Sequence, residues 1–126
     1  MNLQQVTPFF HVDDLDAAVK FFVEKLGFKA LVYRPDYAYV DREGVAFRLL
    51  SLEEERQSDA EPPPKCAYVD VRDVDALWAE LRPKLREELS NNPEGPSDRW
   101  YGQREFTVFG PEHLVLFFGQ AIKTKS

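Results

Sequence analysis

Val12-Asp13-Asp14-Leu15-Asp16-Ala17 returns farther down the chain as Val71-Arg72-Asp73-Val74-Asp75-Ala76. In each copy a β-prone run precedes the six residues and an amphipathic helical pattern follows them. Upstream of the first copy, residues 6–12 alternate as a strand does, with Val6, Pro8, Phe10 and Val12 on one face and Thr7, Phe9 and His11 on the other. Asp13 or Asp14 can cap a helix, because a short carboxylate accepts a hydrogen bond from the unpaired N–H groups of a first turn. Leu15, Ala18, Val19, Phe22 and Leu26 then recur at helical spacing, and Gly27 stands where such a helix stops. Three strands follow, at 28–34, 37–42 and 45–52, separated by Pro35-Asp36 and Glu43-Gly44.

After the second copy the helical stripe is Val74, Leu77, Trp78, Leu81 and Leu85. Pro83 lies inside it and predicts a kink or an end near Leu81 and Arg82. A strand is expected within 85–90 and a loop over 90–99, where Asn91-Asn92-Pro93-Glu94-Gly95-Pro96 is rich in turn formers. The segment Trp100-Tyr101-Gly102-Gln103-Arg104-Glu105-Phe106 opens a strand-turn-strand unit. Residues 105–109 alternate in polarity, Gly110-Pro111 breaks the run, and 114–118 are continuously apolar. Self-similarity at a fixed offset is the mark of an internal repeat. The predicted fold class is α+β, built from two tandem βαβββ modules: module one about 1–52 and module two about 65–122. Between them, 53–64 is charged and polar and ends in Pro62-Pro63-Pro64, which predicts an extended connector between two halves of one domain.

The 126 residues suffice for one domain with a substantial core. A formal net charge of −6 argues against nucleic acid, which needs a basic face. It favours a cationic ligand mildly, and foremost it keeps the chain soluble. The single cysteine, Cys66, excludes an intramolecular disulfide and a Cys-based zinc cluster. No stretch approaches the ~20 apolar residues of a membrane span, and Met1-Asn2-Leu3-Gln4-Gln5 lacks the features of a leader. A reducing, cytoplasmic setting is the simplest fit. The chain carries no phosphate loop, Gly-x-Ser-x-Gly, His-Glu-x-x-His or dinucleotide fingerprint. The acidic cluster Asp13-Asp14-x-Asp16 needs no metal, since negative charge is favoured at a helix N-terminus.

The paired modules resemble the vicinal oxygen chelate superfamily, and within it the bleomycin resistance proteins of the glyoxalase/bleomycin resistance/dioxygenase group. The resemblance covers nearly the whole chain. In module one it rests on Val12-x-Asp14-Leu15-x-x-Ala18, Phe21-Phe22 and Leu26-Gly27-Phe28. In module two it rests on Ala67-Tyr68-Val69-x-Val71 and Asp73-Val74-Asp75-Ala76-Leu77, and above all on Tyr101-Gly102-Gln103-Arg104-Glu105-Phe106. It implies an open curved sheet whose concave face holds the ligand, and a homodimer with crevices between subunits. It also implies sequestration of a cationic, planar-tailed drug.

Metal-dependent relatives carry His or Glu ligands on the concave strands. The corresponding positions here are Thr7, Cys66 and, in the last strand, Leu116 or Phe117. These do not supply the three or four donors a divalent ion needs. The expectation is therefore no metal and no cofactor. His11 shares the Thr7 and Phe9 face, while His113 falls in a turn. Cys66 reads as a small buried thiol before it reads as a nucleophile.

The resemblance implies ligand-binding roles for several aromatics. Tyr101 falls on the family's tryptophan and would stack on a flat ligand group, and Trp100 fits either that role or a plug over the sheet end. Tyr37 would stack at the partner subunit's ligand or serve as an edge residue. The family's other aromatic falls at Val32, with Tyr33 one position away and so on the opposite face. Phe9, Phe47 and Tyr68 are candidates for lining the cavity, together with His11. Asp70 shares the Cys66 and Tyr68 face and could meet a cation, or pair with Arg48 or Arg104. Arg104 and Glu105 are expected to brace the strand pair or the dimer. The first functional expectation is a metal-free small-molecule binder that sequesters a cationic aromatic drug or metabolite. The second is a metal-dependent lyase, isomerase or dioxygenase of the same superfamily with an atypical site.

Overall fold

The computed structural model describes residues 1–51, 64–90 and 92–123. The connector expected over 53–64, apart from Pro64, lies outside the described residues. The chain divides into two compact units, Met1–Pro62 and Pro63–Ser126.

The first unit runs β1 (Phe9–His11), α1 (Leu15–Lys20), β2 (Lys29–Tyr33), β3 (Tyr37–Arg42) and β4 (Val45–Leu50). The second runs β5 (Lys65–Asp70), α2 (Val74–Leu81), β6 (Ser97–Asp98), β7 (Gln103–Phe109) and β8 (Leu114–Ala121). The strand orders are β1-β4-β3-β2 and β5-β8-β7-β6. The first strand pairs parallel with the last in each sheet, and the other pairs are antiparallel. These are two βαβββ modules of one topology.

The repeated sequence has a local cause. Asp14 and Asp73 are the N-caps: Asp14 Oδ1 accepts from the Ala17 N–H at 3.0 Å and Asp73 Oδ1 from the Ala76 N–H at 3.0 Å. The following Leu15 and Val74 are buried, so each copy couples a cap to the first core contact of its helix. In module one α1 continues as a wider π-helical turn over Phe21–Lys25, and Gly27 then takes the left-handed conformation, φ 76°, that releases the chain into β2. In module two α2 stops at Leu81, before Pro83, as its ring requires.

One face of each sheet packs on its helix. Module one buries Phe10, Phe22, Phe28 and Phe47 in a cluster with ring centroids 5.2–5.9 Å apart. Module two buries Phe106, Phe118, Val108, Leu116 and Leu81, with Trp78 edge-on to Phe106 at 5.4 Å. Each large apolar side chain buried in this way contributes about 1.5–3 kcal/mol.

Three expectations change. β1 begins at Phe9 rather than Val6, because Pro8 has no N–H to continue the ladder and Val6 is exposed. The strand expected within 85–90 is a short 3₁₀ turn, Glu87–Leu89; Leu85 and Leu89 are buried one helical turn apart, not in alternation. The missing strand of module two is instead the two-residue β6, inside the expected loop, where Ser97 pairs with Glu105 and Asp98 with Arg104.

Candidate functional site

Strand alternation leaves a second face in each sheet that the helix does not cover. In module two its rows follow from the register: Cys66 beside Val115 and Phe109, Tyr68 beside Phe117 and Thr107, Asp70 beside Gly119 and Glu105. Gly119 decides what the third row can do. A Cβ there would lie 2.0 Å from the Tyr68 hydroxyl and 3.0 Å from Glu105 Cβ. Its absence lets the Tyr68 side chain cross β8 and donate to Glu105 Oε1 at 3.1 Å. Tyr101, from the turn before β7, donates to the same oxygen at 2.7 Å.

Glu105 is the one charged side chain buried among the described residues, at 5% exposure. Both described hydrogen bonds fall on Oε1, no described donor reaches Oε2, and no described Lys or Arg pairs with the carboxylate. The Tyr68 phenol is pushed up, first by burial and then by donation to Glu105. The Tyr101 phenol is also raised, first by its hydrogen bond to Glu105, with nearby Arg99 opposing. Both hydroxyls stay protonated and available as donors. A cavity of about 390 Å³ opens beside them, lined by Tyr101, Glu105, Thr107, Phe109, Phe117 and Arg99 among others. That volume is within the range of small-molecule sites.

The open face of module one is built differently. Arg48 on β4 lies 4.8 Å from the Tyr39 ring centroid and 6.0 Å from that of Phe9, and it donates to the Tyr37 hydroxyl at 2.5 Å. Three aromatics therefore surround a cation of the chain itself.

The expected site residues fall into distinct groups. Tyr68 and Tyr101 are brought together through Glu105, with Tyr68 not itself lining the cavity. Trp100 packs edge-on to Tyr101 at 5.3 Å and is otherwise open, at 92% exposure. Phe9 and Tyr37 converge on Arg48. His11 and Asp70 are exposed on the open faces of their modules. Phe47 is not a cavity residue: it pairs with Val40 on the helix-covered side and is 1% exposed. Cys66 is exposed, not a buried thiol. Tyr33 takes the opposite face from Val32, as strand parity requires; its hydroxyl donates to Asp16 of α1, and its phenol is pushed up to about 12 by that bond. A bulge between Ala30 and Val32 sets this register.

Arg104 braces the module as expected, with bonds to Asp75 of α2 at 2.9 Å and to Asp98 of β6 at 3.0 Å. Asp70 is not among its described partners. Glu105 takes no part in that brace and instead accepts from the Tyr68 and Tyr101 hydroxyls, which sequence reasoning missed because an Arg-Glu pair reads as one ion-pairing unit. Strand parity carried the signal: adjacent residues face opposite ways.

The model of the Glyoxalase/Bleomycin resistance protein/Dioxygenase superfamily matches residues 3–118. The chain belongs to that superfamily. A bleomycin resistance protein of Geobacillus stearothermophilus is 23% identical over 133 aligned positions, covering 95% of this chain and 98% of the relative. The bleomycin-binding protein of Streptomyces verticillus, solved with copper(II)-bleomycin, superposes with a TM-score of 0.72 at 24% identity, covering 98% of this chain and 99% of that one. A lactoylglutathione lyase of Agrobacterium tumefaciens superposes with a TM-score of 0.66 at 16% identity, covering 94% of each chain. The superfamily fold thus carries both binders and enzymes, and fold alone does not choose between them.

For a superfamily metal the donor chemistry here does not fit. In β8 the open-face position is Phe117, stacked on Tyr68 with ring planes 6° apart, while Leu116 is fully buried on the helix side. Among the described residues, no three His, Cys, Asp or Glu side chains gather as a metal-holding group. No helix of the described residues is long and apolar enough to cross a membrane.

Proposed function

We propose that this protein binds and sequesters a cationic, partly aromatic drug or metabolite, in the manner of an antibiotic resistance protein. The observation that carries the reading is the module-two cavity, where Tyr101, Phe109 and Phe117 offer ring surface beside a carboxylate that no described Lys or Arg pairs with. Flat aromatic walls give contact area to a planar group at little entropic cost, and ring faces attract positive charge. The full-length likeness to a bleomycin resistance protein supports the same class of ligand. The protein is proposed to work as a cytoplasmic homodimer, with no resident metal or cofactor and no chemical step.

The test is a titration of the dimer with bleomycin and a panel of unrelated cationic aromatics, followed by Trp100 and Trp78 fluorescence. Saturable quenching by at least one compound, weakened about tenfold by Tyr101→Ala in a folded dimer, is the expected result. Unchanged affinity in the Tyr101→Ala protein contradicts the stacking role. A stoichiometric divalent ion in the purified protein, whose removal abolishes a turnover reaction, replaces this reading with an enzymatic one.

A further inference from the structure

We propose that Glu105 is a recognition point for an N–H-bearing cation, a protonated amine or a guanidinium, held in the module-two cavity. This deepens the proposed function and rests on it for the identity of the site.

A carboxylate offers about four lone-pair directions over its two oxygens. The two tyrosine hydroxyls use directions on Oε1 only, and Oε2 has no described partner. The group is nonetheless 5% exposed, while its neighbour Arg104 on the same strand directs its charge to Asp75 and Asp98. A buried carboxylate without a counter-ion is costly, and a ligand that brings the missing charge recovers that cost on binding.

The surroundings favour a cation over a neutral donor. Tyr101 and Phe117 line the same cavity and present ring surface. Arg99 also lines it and opposes a second positive charge, but Arg99 is exposed and therefore screened by water and salt, whereas Glu105 is not. A cation that carries N–H groups can use both Oε2 and the rings. A fully alkylated ammonium can use only the rings. Gly119 completes the arrangement, because the crossing of Tyr68 over β8 occupies Oε1 and leaves Oε2 for the ligand.

The experiment measures heats of binding of 2-phenylethylammonium, its fully methylated analogue and the neutral 3-phenyl-1-propanol, to the full-length protein and to Glu105→Gln. Glutamine keeps an acceptor for the two hydroxyls and removes the charge. The expected order on the native protein is ammonium first, then the methylated cation, then the alcohol, with about tenfold between first and last. In Glu105→Gln the preference for the ammonium over the alcohol collapses to within about twofold. Equal affinity for all three on the native protein overturns the proposal, and so does an undiminished preference in the variant. If Glu105→Gln does not fold, the order on the native protein decides alone. Failure of the drug panel with this order intact rejects the sequestration reading and keeps the subsite. Drug binding that ignores Glu105→Gln does the reverse.

Discussion

The two modules share a topology and differ in where they keep their positive charge. By strand register Phe9, Arg48 and Tyr39 in module one occupy the row that Tyr68, Phe117 and Thr107 occupy in module two. Leu50 and Tyr37 correspond in the same way to Gly119 and Glu105. Module one has a cation in the middle strand and aromatics around it, so its open face is satisfied by its own residues. Module two has an aromatic in the middle strand and a carboxylate beside it, and among the described residues the arginine at its cavity edge, Arg99, is exposed and not stacked on those rings. A duplicated scaffold can thus leave one half self-contained and the other in need of a partner, through substitutions on one face that do not touch the helix-covered core.

The largest test of this division compares the faces of the sheets. Phe47→Ala removes a fully buried ring and is expected to cost about 3–5 kcal/mol in chemical denaturation. Phe117→Ala, half-buried on the open face, is expected to cost less than half of that. Equal losses would mean that Phe117 is core and that module two has no binding face. Next comes Gly119→Ala. The added methyl must push the Tyr68 ring off Glu105, with an expected loss of about 1–3 kcal/mol and a drop of the Tyr68 phenol toward its ordinary pKa in an ultraviolet titration. An unmoved phenol would show that the crossing of β8 is not what raises it.

Arg48→Leu addresses module one. It removes a cation held by two ring faces and a tyrosine oxygen, and about 1 kcal/mol of stability should go with it. No loss would make the box incidental and weaken the contrast. The smallest effect belongs to the Arg104 clamp. Its guanidinium holds the Asp75 carboxyl below its ordinary value of 3.8, so the stabilisation is present above that pH and disappears as the pH falls through the lowered value. Asp75 is exposed and Arg104 about one-third so, and water and salt screen the pair, which limits the effect to under about 1 kcal/mol. Asp75→Asn should lower stability by that amount at neutral pH and leave it unchanged below the lowered value, so that the acid limb of a stability-versus-pH curve flattens.

Much of the scaffold was legible because its causes are local. Asp14 and Asp73 cap, Gly27 and Pro83 stop helices, and residues 37–42 alternate as a half-buried strand must. β6 was not legible: two residues are too short to show a period, and their pairing with Arg104 and Glu105 is fixed from the other strand. The site was half legible. Parity put Phe9 and His11 on one face and Tyr68 and Asp70 on another, and these are the faces observed. Parity could not say that Phe47 turns toward α1, since a buried strand is apolar on both sides. Glu105 was hidden by its neighbour Arg104, and Gly119 by having no side chain to notice. Its meaning is a distance across two strands, which no local pattern contains.

The contrast between the modules is tested most directly by nuclear magnetic resonance, with 2-phenylethylammonium titrated into the full-length protein. Saturable shifts are predicted for Tyr68, Tyr101, Glu105 and Phe117, with Phe9, Tyr37, Tyr39 and Arg48 unmoved. Shifts centred on the Arg48 cluster, or no saturable shift in module two, would contradict the account.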